Sequence, residues 1–299
     1  MDSFEQCCRA SERVSWVLEE EIEGLSFDFT KRFLPRRLCG GELPDWLSPE
    51  EVLTLNQIRG HSYAHCFFVL EQVILQEAAQ AASGYAQIDR HAMSALLKFA
   101  DEETKHQRMF LWVRETLGRN FSIRPQLVGG VEELADTVCA HSSFSVFLVA
   151  LCLEWLTQKH YVECFEEEKG SLDPAFQKIF RLHWMEEAQH ARIDALHLRR
   201  IASALSVREL QQSLVEVEVI LQHLRCVVEE QDALDVQSFR QQRSTPLSDS
   251  QERQLLEALN RESRWTFFDS GLEHQAFQTL CQELFPEELN APVRAIAVA

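Results

Sequence analysis

The sequence predicts an all-α protein: a bundle of four long helices with additional helices at its N- and C-terminal ends. Three observations predict it. Glycine and proline are scarce, 10 and 8 in 299 residues, so the chain has few places to turn. Apolar residues make up 45% of the chain, ample for a core, and recur at helical spacing between clear cap and breaker signals. Carboxylates and imidazoles also repeat at near-equal intervals along four of the stretches so defined.

Composition narrows the function. A net charge of −18 excludes a basic surface for nucleic acid phosphates, and it leaves little room for a basic patch that would dock an acidic carrier protein. Acidic helix faces that keep the protein in solution account for it. The nine cysteines form no Cys-x-x-Cys pair, and several sit among apolar residues, which fits buried thiols in a reducing cytoplasm. The start, Met-Asp-Ser-Phe-Glu-Gln, lacks a basic segment followed by an apolar core, and no apolar run approaches the ~20 residues of a membrane span. A cytoplasmic protein without membrane or nucleic acid partners is expected.

Residues 3–24 read as a first amphipathic helix, with Val14, Trp16, Val17 and Ile22 among charges. Pro35, Gly40, Gly41 and Pro44 make 25–48 a loop. Ser48-Pro49-Glu50-Glu51 then starts a helix, with a Ser cap, Pro at the first position and acids in the first turn; it runs to about 81. Gly60 within it costs ~1 kcal/mol relative to Ala. After a turn at 83–85 a helix spans about 88–117. Gly118, Pro125, Gly129 and Gly130 mark a longer connection with a short helix near 131–140. A helix over 142–168 ends before Gly170, and Asp173-Pro174 opens another over 174–203. Residues 206–241 form a further long helix without recognisable chemistry. A polar break at 244–250, two or three short helices to about 285 and a frayed tail over 286–299 complete the chain. The whole reads as one domain, 1–299: a ligand-bearing bundle over about 49–203 and accessory helices over about 3–24 and 206–285.

The chemistry lies in the bundle. At about 100° per residue, Glu187 lies about 40° from His183 and His190 about 20° on its other side, so the three share one helix face. A carboxylate with two imidazoles suits iron, manganese or zinc. Residues 99–110 hold an echo, Glu103-x-x-His106. One such pair is expected by chance, about once in a chain with this many Glu and His, so position carries the signal. Glu71 lies 32 residues before Glu103, and Glu154 lies 33 before Glu187. One Glu from each of two helices and Glu-x-x-His from each of the other two is the ligand pattern of carboxylate-bridged two-metal sites in ferritin-like bundles, and the single long connection at 118–141 matches that topology. Glu71 sits one turn from Phe67, Phe68, Ile74 and Leu75, where a carboxylate must be paired or metal-bound. Glu77 is the alternative on the same helix. His183 is either a third imidazole ligand or a core histidine beside the site. His160, His197 and His223 read as packing or surface residues, Tyr63 and Tyr161 as core, and His61 as a candidate for a cavity mouth.

The set Glu71…Glu103-x-x-His106…Glu154…His183-x-x-x-Glu187-x-x-His190 resembles the p-aminobenzoate N-oxygenase family of ferritin-like di-iron oxygenases, in which a third His precedes the last Glu by four residues. The resemblance covers about 50–200, with a weaker echo in Trp265-Thr-Phe-Phe…Gly271-Leu-Glu-His274. It implies two iron ions, with manganese possible, held by Glu71, Glu103, His106, Glu154, His183, Glu187 and His190. It also implies an external electron donor, a ferredoxin or a reductase, dioxygen and a small amine whose nitrogen is oxidised to hydroxylamine, nitroso or nitro, in a homodimer. The family often has Asp before each motif Glu and Arg before each motif His; here Glu102, Glu186, Lys105 and Gln189 stand there. Asp101 and Asp194 are then the candidates for hydrogen bonds that orient the ligand histidines. Arg59, Arg181 and Arg192 are candidates to meet a carboxylated substrate. The alternatives on the same scaffold are a C-hydroxylase or desaturase-type oxidase, a ribonucleotide reductase small subunit, and a non-enzymatic iron-binding protein.

Overall fold

The computed structural model describes residues 3–289. Its helices are α1 Phe4–Val14, α2 Leu18–Glu21, α3 Pro49–Gly84, α4 Arg90–Asn120, α5 Val131–Cys139, α6 Ser143–His160, α7 Pro174–Ala202, α8 Val207–Gln242, α9 Asp249–Arg264, α10 Ser270–Leu272 and α11 Gln275–Leu284. Five-residue π-helical turns follow α6 at Tyr161–Phe165 and α9 at Trp265–Asp269. Among the described residues there is no named strand, and Arg32 and Leu172 form an isolated bridge. No helix among them is long and apolar enough to cross a membrane.

The long helices start where the caps place them. Ser48 and Glu51 close a reciprocal capping box on α3, and Asp173 caps α7 by accepting from Phe176 N at 2.7 Å. Each such cap stabilises its helix by about 1 kcal/mol. α3 packs along α4 and α6 along α7, giving the ferritin-like bundle. α3 and α6 are buried nearly all round, because α8 and the later helices cover the faces that a free-standing bundle would expose.

The loop before α3 is tied down from the helix itself. Asn56 accepts from Phe33 N and Leu34 N and donates to Leu34 O, while Gln57 donates to Phe29 O and Lys31 O. Gly60 explains its own presence: a Cβ there would lie 2.7 Å from Phe33 Cβ, so glycine lets the loop lie against α3.

Two expectations change. The helix expected over 3–24 is broken at Ser15–Val17 into α1 and α2. The break turns Trp16 inward, 8% exposed, and leaves Val17 at 48%; burying the indole outweighs one uninterrupted helix. The tail expected over 286–299 begins as a 3-10 turn, Glu287–Leu289, with Leu289 buried. The rest of it, 290–299, lies outside the described residues.

The candidate metal centre

α4 brings Glu103 and His106 to the middle of the bundle, α7 brings His183, Glu187 and His190, α3 brings Glu71 and α6 brings Glu154; all seven are buried. His183 Nε2 lies 2.7 Å from both Glu71 Oε1 and Glu187 Oε1. His106 Nδ1 lies 3.1 Å from Glu187 Oε1 and 3.5 Å from Glu103 Oε1. His190 Nδ1 lies 2.8 Å from Glu103 Oε1 and 3.1 Å from Glu187 Oε2. Two overlapping groups result, Glu71–His106–His183–Glu187 and Glu103–His106–Glu187–His190, each with donor atoms within 4.8 Å of one another. Glu154 stands outside both groups but faces Glu187 and Glu103, whose charges add to burial in pushing its carboxyl well above the usual range.

Many of these close approaches are not hydrogen bonds. Glu71 Oε2, both oxygens of Glu103 and of Glu154, Glu187 Oε1 and His106 Nδ1 are buried without an aligned partner. Lone pairs that crowd together without bonding one another fit a cation between them, because burying such groups unpaired is costly. Four carboxylates match the charge of two divalent ions, and the imidazoles suit transition metals.

The histidines are oriented from behind, across the bundle. His106 on α4 places Nε2 2.9 Å from Glu186 Oε2 on α7, and His190 on α7 places Nε2 2.9 Å from Glu102 Oε2 on α4. Each acid directly precedes the motif Glu of the opposite helix. Assigning the Nε2 proton from these bonds leaves Nδ1 of both rings facing the cluster. Lys105 Nζ reaches Glu186 Oε1 at 2.5 Å and sits 4.2 Å above the Trp16 ring, which stacks on His106 at 6.3 Å. Phe67, Phe110 and Phe180 surround the His183 ring, and Phe99 stacks on His190 at 4.1 Å.

Burial drives the proton affinities, and the neighbours modify it. Desolvation and the Glu103 charge push Glu71 up to about 7. Burial disfavours the charged His183 ring, yet Glu187 and Glu71 outweigh it and hold the ring at about 9. His106 and His190 are raised well above the usual value by their carboxylates against the same desolvation.

Several candidates fall elsewhere. Asp101 is exposed: two positions before Glu103 puts it about 200° round the helix, facing water, and Glu102 and Glu186 orient the histidines instead. Asp194 is fully buried near His190, and neither of its oxygens has a hydrogen-bond partner. Glu77 accepts from Ser143 Oγ at 2.5 Å rather than joining the cluster. His61 is fully buried, with Nε2 3.0 Å from the Arg114 carbonyl oxygen. Arg59 is locked between Asp232 and Asp235, and Arg181 and Arg192 are exposed, so none of the three arginines faces the cluster. His160 and His197 are buried partners of Tyr63 and Tyr85, His223 is exposed, and Tyr161 stacks on Trp184. Trp16, read in the sequence only as an apolar residue of the first helix, lies against His106 and Lys105.

A family model described as P-aminobenzoate N-oxygenase matches residues 15–260. No curated protein matches the chain. Among solved structures, a tyrosine-to-phenylalanine mutant of an R2-like ligand-binding oxidase with an anaerobically reconstituted Mn/Fe cofactor aligns at 15% identity and a TM-score of 0.50, over 88% of this chain and 93% of that one. The aerobically reconstituted form of that mutant aligns at 14% identity with the same TM-score and coverage. At such identity the likeness is one of fold, a ferritin-like bundle.

Proposed function

The chain belongs to the p-aminobenzoate N-oxygenase family and is an oxygen-using oxidoreductase of the di-iron type; from that premise we propose that it oxidises the nitrogen of a small amine. The observation that carries this reading is the convergence of four carboxylates and three imidazoles, the third being His183, on one buried point. In this reading Glu71, Glu103, His106, Glu154, His183, Glu187 and His190 hold two iron ions. Such a pair would supply dioxygen activation, with electrons from an external donor, a ferredoxin or a reductase.

The chain's own residues do the rest. Glu102 and Glu186 hold the Nε2 protons of His190 and His106, so that both rings keep one tautomer and one orientation. Lys105 offsets the charge of Glu186 and so prevents a surplus anion behind His106. His183, between Glu71 and Glu187, is the imidazole particular to one half of the cluster, as His190 is to the other, with His106 common to both. The phenylalanines around His183 and His190 exclude water, which strengthens every electrostatic interaction inside. A homodimer in a reducing cytoplasm completes the proposal, and the buried thiols of Cys39, Cys66, Cys152, Cys164 and Cys281 support that compartment.

The test is anaerobic loading with ferrous iron, rapid mixing with labelled dioxygen, and a panel of aryl- and alkylamines followed by mass spectrometry. Two irons per chain and label on the amine nitrogen are expected. Two irons oxidised by dioxygen with every amine returned unchanged would point to carbon oxidation or iron handling instead.

A further inference from the structure

A second feature of the bundle has no part in holding metal. Between α3, α6, α8 and the π-helical turn Trp265–Asp269 lies a cavity of about 20 Å³, lined by Cys66, Val69, Leu70, Leu153, Phe267 and Phe268 among others. One water-sized molecule needs roughly 10–15 Å³, so the cavity has room for one small molecule and none for an arylamine. A water there would need two to four polar partners, and the wall is apolar except for a thiol. Size excludes the amine and polarity excludes water. A dry apolar void of this kind can take up a small apolar gas, and the chain belongs to a family that consumes one.

The position is specific. Leu70 directly precedes Glu71 on α3, and Leu153 directly precedes Glu154 on α6. One residue is about 100° of turn, so these leucines face the cavity while the glutamates face the metal cluster. Cavity and cluster therefore lie on opposite sides of the same α3–α6 seam. The outer wall is held close: a Cβ on Gly271 would lie 2.3 Å from the Cys152 carbonyl oxygen, so the segment after the π-helical turn is drawn against α6 two residues from Glu154. π-helical turns recur at functional sites, and this one supplies Phe267 and Phe268.

We propose that this cavity is a dioxygen-holding site feeding the carboxylate cluster across the α3–α6 seam. It rests on the oxygen-using reading above, not on the identity of the amine. The experiment is diffraction from xenon-pressurised crystals of the full chain, paired with the second-order rate at which dioxygen oxidises the ferrous-loaded protein with no amine present. Xenon is expected in this cavity, with higher occupancy in Leu153→Ala, which enlarges it. Val69→Phe should abolish the xenon peak and slow oxidation measurably at unchanged iron content. If Val69→Phe fails to fold, wild-type and Leu153→Ala crystals still decide. An empty cavity under xenon, or a full one that Val69→Phe fills without slowing oxidation, overturns the proposal. Iron that is oxidised normally while no amine reacts would sink the N-oxygenation reading and leave this one standing.

Discussion

Two regions of the molecule bury charge, and they do it in opposite ways. Around Arg59, Asp232 and Asp235 accept from one guanidinium nitrogen at 2.5 and 2.8 Å, Ser263 accepts from the other, and Ser62 and Gln231 bond Asp235. Cation and anions are all supplied by the chain. At the seven-residue cluster the chain supplies the anions and imidazoles and aims them at one another, yet within the cluster only His183–Glu71 and His190–Glu187 align as hydrogen bonds, and most of the other facing atoms stay unpaired. The first arrangement is finished by folding, and the second is finished by something that arrives. Buried charge alone therefore does not mark a site, nor does a single orphaned atom, since Asp232 Oδ2 lacks a partner too; many orphaned lone pairs converging on one point do.

Substitutions can break that comparison, beginning with the largest effect. Glu187→Ala removes the carboxylate common to both four-residue groups, so bound iron should fall by at least half and oxidation by about a thousandfold or more; retention of both irons, read by metal analysis, would remove the cluster as the site. Arg59→Leu should cost about 3–5 kcal/mol, since it leaves two buried carboxylates without their cation. Denaturant titration measures it, and the metal affinity of whatever stays folded should be unchanged. Glu186→Ala and Glu102→Ala should each weaken metal binding about 10–100-fold, the former more because Lys105 loses its carboxylate. Equality with wild type in calorimetric titration would show that the Nε2 bonds do not orient the rings.

The pH dependence has a definite sign. Glu71 at about 7 and His183 at about 9 must lose protons before binding a cation, so metal affinity rises as pH climbs through that range, with protons released. In the metal-free protein both folded values exceed the ordinary 4.5 and 6.5. The stability they contribute is full below those values and lost as pH rises through about 7 and about 9. Melting of metal-free protein across neutrality checks this, and an alkaline gain in stability would contradict it. The smallest effect is Glu154→Gln without metal. Burial and Glu187 already favour the neutral carboxyl, so stability should move by no more than about 1 kcal/mol while metal loading fails.

How much of this could be read from the chain depends on distance along it. Helices opened by Ser48-Pro49 and Asp173-Pro174 were legible because a cap acts within three residues. The cluster was legible because helical spacing and repeat spacing point to it independently. The hydrogen bonds behind the histidines were not: they join positions 80 and 88 residues apart, and the nearby acid Asp101 lies on the wrong side of its helix. Arg59 looked available for substrate because its partners lie 173 and 176 residues away. The place of Trp16 beside His106 was not legible, because the amphipathic pattern carries on through the break at Ser15–Val17 and the two residues are 90 positions apart.

The close approach of Gly271 to α6 also sets a clock. The last of the seven cluster residues is His190, and Gly271 follows it by 81 positions. At about 5–20 residues per second, translation leaves an interval of roughly 4–16 s in which the seven side chains have been made and the segment that seals α6 has not. A nascent chain in that interval carries the means to bind iron without the wall behind it.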